Sequence, residues 1–283
     1  VFTVNVTNVN EDPNLVVPSA QATNEDTPIA IAGFSYSDPD MSDSDLLIVT
    51  FSAGDGEISY FDSDSNSQVV ISGKGELTET ISDLNSMFST LTYTPNADYV
   101  GSDTISITVR DNGDFGSGSE LTDSATVAVT INAVNDAGVI GWSVPSRSFD
   151  EDSSSITLDL NVSNFVTDVD ESGADDLSLS YSVSDGATLL INPDSDPALV
   201  EGGNYTITSG GEGQATITLE GDLATLNLLA HNISYVPADN YHGTVDVSIS
   251  YNDADNTGSG GAQTSTLSFT DTIDSVNDAP IVA

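Results

Sequence analysis

An Asn followed by an acid, at the exit of an alternating apolar segment, is written three times in this chain. The phrases are VTNVNEDP at 6–13, INAVNDAG at 131–138 and IDSVNDAP at 273–280. The acids do not stand alone. NEDTP at 24–28 has a counterpart in DEDSS at 150–154, and SDPD at 37–40 has one in TDVD at 167–170. Carboxylates and Asn amides are oxygen donors, the ligand type that Ca²⁺ takes in sets of about 6–8. Several carboxylates held within a few Å of each other repel strongly unless a cation sits among them.

The charge balance points the same way. There are 45 Asp and Glu residues against three basic ones (Lys74, Arg110 and Arg147), a formal net charge of −42. Such a chain repels phosphate backbones and anionic membrane surfaces, so nucleic acid is excluded as a partner and membrane insertion is not expected. Hard cations are the natural counter-ions. The acids cluster between well-patterned apolar segments, which argues against a disordered acidic chain. There is no Cys, so disulfides and thiolate metal sites are ruled out. No apolar run is long enough to span a bilayer. The chain begins in mid-pattern and stops just after a linker, which reads as a fragment of a longer protein.

The elements that must position these acids form an internal repeat. Asn135 follows Asn10 by 125 residues and Asn277 follows Asn135 by 142. Between these marks LIVTFSAGDG at 47–56 matches LSLSYSVSDG at 177–186. LTYTPNADYVGSDTISITVRDNG at 91–113 matches ISYVPADNYHGTVDVSISYNDAD at 233–255, and FGSGSELTDSATVAVTI at 115–131 matches TGSGGAQTSTLSFTDTI at 257–273. Each unit holds about seven strand-like runs with alternating faces, such as Ile105, Ile107 and Val109 against Thr104, Ser106 and Thr108. Turn residues separate them. The fold class is all-β: two tandem Greek-key β-sandwiches, each with a short helix. Those helices are expected at 82–91, capped by Ser82 or Asp83, and at 224–233. The boundaries expected are 1–9 for the last strand of a preceding repeat, 10–134 and 135–276 for the two repeats, and 277–283 for a linker to a following one. In such a sandwich loops gather at the two ends. Acids of one unit's lower loops, the linker and the next unit's upper loops then converge at the junction.

The ordered set VNDAP, NEDTP, DPD and YTPNADYVGSDTISITVRDNG resembles the bacterial cadherin-like tandem repeats of large secreted, RTX-type adhesins. The resemblance covers nearly the whole chain. It implies a Ca²⁺-binding sandwich that serves as an extracellular extender or adhesion module at the bacterial cell surface, without enzymatic activity. It also implies a ligand set. The joint between the repeats takes Glu25, Asp98, Asn135, Asp136, Asp168, Asp170 and Asp253. The upper joint takes Glu11, Asp38, Asp40 and Asp111, and the lower one Glu151, Asn277 and Asp278. The family's linker pattern is incomplete here. Ala133 and Ala137 replace its first and last members, and Gly138 stands where Pro is usual. One or two ions at the middle joint are therefore expected, not three.

Other motifs read as structure. DSDSNS at 62–67 has an EF-hand-like start but lacks the Gly and Glu such a loop needs, and GGEGQA at 210–215 occurs once without the Asp of a Ca²⁺ β-roll. His231 and His242 have no catalytic or Zn²⁺ partners in the sequence. Trp142 is expected to pack at the base of the second unit. Carboxylate pairs of glycosidase type abound, but repetition favours structure over a single active site. Asn5, Asn161, Asn204 and Asn232 stand in glycosylation sequons. The competing function is a recognition module for a cell-surface glycan or protein. Its aromatic platform would come from Tyr60, Phe61 and Tyr205.

Overall fold

The computed structural model describes residues 2–113, 116–142, 146–158, 160, 164–171, 177–192, 199–254 and 258–279. The chain divides into two compact units, Val1–Ala133 and Val134–Ala283. Asn161 of the sequons lies outside the described residues. Residues 2–8 are exposed and belong to no strand.

The first unit runs β1 (Asn14–Val16), β2 (Gln21–Asn24), β3 (Ile29–Ala30), β4 (Ser35–Ser37), β5 (Leu46–Asp62), β6 (Ser67–Thr80), α1 (Ile81–Phe88), β7 (Thr92–Pro95), β8 (Gly101–Arg110) and β9 (Thr122–Asn132). Its strand order is β2-β9-β8-β5-β7-β3, with β6 along β5 and a separate β1–β4 pair. β2 lies parallel to β9, while the other ladders are antiparallel. β5 is long because it serves both layers. Ile48–Ser52 pair with β8, and Gly56–Ser59 pair with β7. Alternation fills the space between layers. Val49, Phe51, Ile105, Ile107, Val109, Val127, Val129 and Ile131 are buried, and the intervening Ser and Thr residues face outward. α1 closes one side through Leu84, Met87 and Phe88, with Phe88 stacked on Phe34 at 5.2 Å. Its cap is Thr80, not Ser82 or Asp83. β6 runs straight into the helix, so Thr80 is the last extended residue, and its side chain accepts from Asp83 N at 3.1 Å.

The second unit runs β10 (Val139–Ile140), β11 (Arg147–Asp150), β12 (Ile156–Thr157), β13 (Val166–Thr167), β14 (Leu177–Val183), β15 (Thr188–Ile191), β16 (Tyr205–Gly210), β17 (Thr216–Gly221), α2 (Leu223–Ala230), β18 (Ile233–Val236), β19 (Gly243–Asn252) and β20 (Thr264–Asp274). One sheet is β11-β20-β19-β14-β17-β16 and the other β12-β18-β15, with β10 paired to β13. These are Greek-key crossovers between two layers. β14 and β15 are separated by a turn at Ser184–Gly186, where the first unit has one continuous β5. α2 is capped by Asp222, which accepts from Thr225 N at 2.6 Å. Trp142 packs edge-on against Phe269 at 5.3 Å.

A buried tyrosine anchors each core, and its acid partner changes strands between the units. Tyr93 donates to Asp103 on β8 at 2.8 Å, and Asp103 also accepts from the backbone N–H of Gly54 and Asp55 at 3.0 Å. Burial opposes ionisation of Asp103, but those N–H groups, that of Thr104 and the phenol outweigh it and hold its pKa below the ordinary value. In the second unit Tyr235 donates to Asp271 on β20 at 2.8 Å, and Arg147 Nε donates to the same carboxylate at 2.8 Å. Asp103 faces Val129 across its ladder, and Val245 faces Asp271 across the equivalent one. The acid has moved to its cross-strand neighbour while the phenol stayed.

Tyr181 aligns with Phe51 but adds a hydroxyl to the core, and this oxygen has no hydrogen-bond partner among the described residues. An unsatisfied buried hydroxyl costs about 1–3 kcal/mol. Tyr181→Phe should therefore raise stability by about 1 kcal/mol. Urea unfolding followed by the fluorescence of Trp142, the chain's single Trp, checks this. A lower midpoint would show that the hydroxyl is satisfied.

Candidate metal centre

In the first unit the linker is laid against the hairpin loop between β8 and β9. Val9 bridges Ser117, Asn10 N donates to Ser117 O at 3.4 Å, and Ser117 N donates to Asn8 O at 2.9 Å. Gly116 makes this approach possible, since a Cβ there would lie 2.8 Å from Asn10 N. Asn10 Nδ2 then donates twice, to Asp111 Oδ2 at 2.6 Å and to Ser119 O at 3.0 Å. Asp111 follows β8 and is fully buried; its Oδ1 accepts from Gly113 N and Leu121 N, both at 2.9 Å. With both amide hydrogens spent, Asn10 Oδ1 remains buried and accepts no hydrogen bond among the described residues.

The Asp-x-Asp loop after β4 reaches the same end. Asp38 Oδ1 accepts from Asp40 N at 2.9 Å and Asp38 Oδ2 from the Tyr36 hydroxyl at 3.4 Å. Asp40 Oδ2 accepts from Glu11 N, and Asp40 Oδ1 accepts from Asn8 Nδ2 at 3.0 Å. Glu11, Asp38, Asp40 and Asp111 are thus brought together with Asn10.

The second unit repeats the arrangement with its own residues. Val134 bridges Ser259, and Asn135 N donates to Ser259 O at 2.9 Å. Asn135 Nδ2 donates to Asp253 Oδ2 at 2.9 Å and Gly261 O at 3.1 Å. Asp253 is fully buried, with Oδ1 accepting from Gln263 N at 2.6 Å. Asn135 is also fully buried, and its Oδ1 accepts no hydrogen bond among the described residues. Asp136 N donates to Asp170 Oδ2 at 2.5 Å, Asp170 N to Asp168 Oδ1 at 3.1 Å, and the Tyr251 hydroxyl to Asp168 Oδ2 at 2.9 Å. Asn135, Asp136, Asp168, Asp170 and Asp253 therefore share one end of this unit.

At the other end of the first unit Glu25 is 3% exposed, its N–H bonded to Asn132 O at 3.0 Å. Asp98 adopts a left-handed φ of 56° and its N–H donates to Asp26 Oδ1 at 3.3 Å. Carboxylate oxygens of Glu25 and Asp98 lie within 4.8 Å of one another. The corresponding Glu151 of the second unit is also buried; Oε1 accepts from Val276 N at 2.8 Å, and Oε2 lies 3.8 Å from His242 Nδ1. Asn277 and Asp278 are exposed.

These groups are oxygen donors of the kind Ca²⁺ takes, with carboxylates and an amide carbonyl side by side. An amide oxygen buried without a donor is costly and fits a bound cation. Both arginines pair with acids outside this set: Arg110 with Glu76 and Glu120, Arg147 with Asp271. Lys74 stands on β6 opposite Ser52. Tyr36 and Tyr251 are both raised well above the ordinary phenol pKa, by burial first and then by the Asp each one bonds, so both act as donors.

Sequence reasoning left Asn10, Tyr36 and Tyr251 out of the ligand environment. Asn10 was within reach, because the repeated phrase aligns it with Asn135. The recognition platform is not formed. Tyr60 and Tyr205 are each 3% exposed, and only Phe61 faces outward, since consecutive residues of β5 point to opposite faces. The 62–67 loop is a hairpin tip in which Asp62 Oδ1 accepts from Asp64 N at 3.0 Å, so that acid serves its own turn. His231 is the C-cap of α2.

No family model matches the chain, and no curated protein matches it. Among solved structures, a human protocadherin-24 EC1-2 fragment is similar with 14% identity and a TM-score of 0.35, over 95% of this chain and all of that one (100%). A protocadherin gammaB7 EC3-6 fragment matches at 12% identity and TM-score 0.33, over 94% of this chain; the chain spans 51% of its length. The titin domains z1z2 match at 12% identity and TM-score 0.27, covering 95% of this chain and 100% of that one. TM-scores this low carry no argument, and the fold rests on the strand order itself.

Gly116→Ala should separate the linker from its hairpin, because the new Cβ meets backbone that cannot rotate away. Thermal unfolding without metal is expected to show the first unit destabilised by about 1–3 kcal/mol. An unchanged melting temperature would mean the linker is not held there.

Proposed function

We propose that this chain is a Ca²⁺-binding extender or adhesion module of a large extracellular adhesin of the bacterial surface, with Ca²⁺ bound where its tandem units join. The observation that supports it most strongly is the pair of buried amide oxygens on Asn10 and Asn135 that accept no hydrogen bond among the described residues. Each is fixed by a buried aspartate and stands on a unit end that also carries an Asp-x-Asp loop. The two arrangements arise independently in the two units, which favours a repeated structural role over a single catalytic one. The sequence resemblance to cadherin-like adhesin repeats points in the same direction.

The ligands offered by the upper ends are Asn10, Glu11, Asp38, Asp40 and Asp111, and Asn135, Asp136, Asp168, Asp170 and Asp253. Glu25 and Asp98 supply the first unit's lower end, and Glu151 the second's. Ca²⁺ would neutralise carboxylates that otherwise repel, and so order the linker between units. Extracellular Ca²⁺ modules bind with Kd of about 10⁻⁴–10⁻³ M, so this one would fill outside the cell and empty inside it. Neighbouring repeats of the same chain are the first partners of such a module. A surface glycan or protein is a further one.

Small-angle scattering in EGTA and then in millimolar Ca²⁺ tests the reading. The maximum dimension is expected to increase and the profile to sharpen towards a defined rod on adding Ca²⁺. An identical profile in both buffers would make the acids solvated loops. Asn10→Ala and Asn135→Ala should each weaken Ca²⁺ binding in calorimetric titration while leaving strand content by circular dichroism unchanged.

A further inference from the structure

Each unit holds the first aspartate of its Asp-x-Asp loop with a tyrosine hydroxyl, but the two tyrosines come from opposite sides of the sandwich. In the first unit Tyr36 on β4 donates to Asp38. In the second Tyr251 on β19 donates to Asp168. In the repeat alignment Tyr36 falls on Val166, and Tyr251 falls on Val109. The Tyr–Val pair has been exchanged between two packed positions, and the hydroxyl arrives at the same carboxylate oxygen, Oδ2, in both cases. A third position moves with the pair. The first unit's Pro13 aligns with Gly138, where a Cβ would lie 2.3 Å from Tyr251 Cε1 and 3.0 Å from Asp168 Oδ2. The glycine that breaks the linker pattern opens the room through which Tyr251 reaches Asp168.

We propose that Tyr251 and Tyr36 are positioning residues of the cation sites, and that Gly138 is the second unit's accommodation for this role. The proposal rests on the Ca²⁺ reading above. Asp168 Oδ1 is fixed by Asp170 N and Oδ2 by the phenol, so the carboxylate plane is set before any ion arrives. Each carboxylate oxygen keeps a further lone pair for a cation. The phenol also partly offsets the repulsion between Asp168 and its acidic neighbours while the site is empty. Core packing alone would be satisfied by a Phe at either position; it does not explain why both hydroxyls find the same oxygen of equivalent acids.

Outer partners of metal ligands cost about 10–100-fold in affinity when removed. Residue-resolved Ca²⁺ titration by ¹⁵N NMR, following the Asp136 and Asp170 amides, reads the second unit separately. Tyr251→Phe is expected to raise its Kd about tenfold, with the melting temperature in EGTA unchanged. Tyr36→Phe should act less on the first unit, where the bond is 3.4 Å against 2.9 Å. Transplanting the first unit's arrangement, Gly138→Pro with Val166→Tyr and Tyr251→Val, should recover most of the lost affinity. Wild-type affinity in Tyr251→Phe would overturn the proposal and leave the Ca²⁺ reading standing. So would a loss that tracks a lower melting temperature in EGTA and is not regained by the transplant. If the wild-type amides ignore Ca²⁺, the Ca²⁺ reading falls and takes this proposal with it.

Discussion

A primary amide has two hydrogens to donate and one oxygen to receive. At the upper end of each unit both hydrogens of an Asn are spent, one of them on a buried aspartate, and the oxygen is left buried with nothing to accept among the described residues. The rest of the end is arranged around this clamp. The aspartate must sit where its penultimate strand stops, so that the hairpin loop's own N–H groups can hold its other oxygen. The loop must carry small residues, because the linker backbone lies directly against it. The linker's next residue then donates its N–H to the Asp-x-Asp loop, which closes the end. Remove the clamp and the acids are ordinary solvated loops; with it they face an oxygen that only a cation or a donor can satisfy.

The charge of the chain follows from the same constraint. Two of the three basic side chains are committed to ion pairs with Glu76, Glu120 and Asp271, so among the described residues they do not pair with the ligand acids of these ends. Where one acid is buried deep inside a unit, the chain neutralises it with local donors: backbone N–H groups and Tyr93 for Asp103, Arg147 and Tyr235 for Asp271. The ends are built differently, with acids linked through backbone N–H groups, an Asn amide and a phenol, an arrangement that would gain from an external divalent ion.

Much of this was legible in the sequence because it is carried by period and repetition. Alternating Ile and Val runs gave the two-layer core, the two helices start one residue before their expected spans and end three residues short of them, and the later two copies of the phrase fall where β9 and β20 end. The acids of the upper ends stand out in the sequence because both units keep them in aligned positions. What stayed hidden were groups whose role is kept while their position moves. Tyr36 and Tyr251 do not align, and neither do Asp103 and Asp271, because a packed interior can deliver the same hydroxyl or carboxylate from either of two facing residues. The buried state of Tyr60 and Tyr205 was missed for a related reason. Composition marks an aromatic beside an acidic loop, but the parity of its position on the strand decides which face it takes.

The account stands or falls on the two amide oxygens. A crystal structure grown with millimolar Ca²⁺, with anomalous differences collected to locate the ion, addresses them directly. The account predicts a peak about 2.3–2.6 Å from Asn135 Oδ1, with an equivalent one at Asn10 Oδ1. Peaks elsewhere, or an Asn oxygen accepting an ordinary hydrogen bond from water or a neighbouring donor at full Ca²⁺, would contradict it.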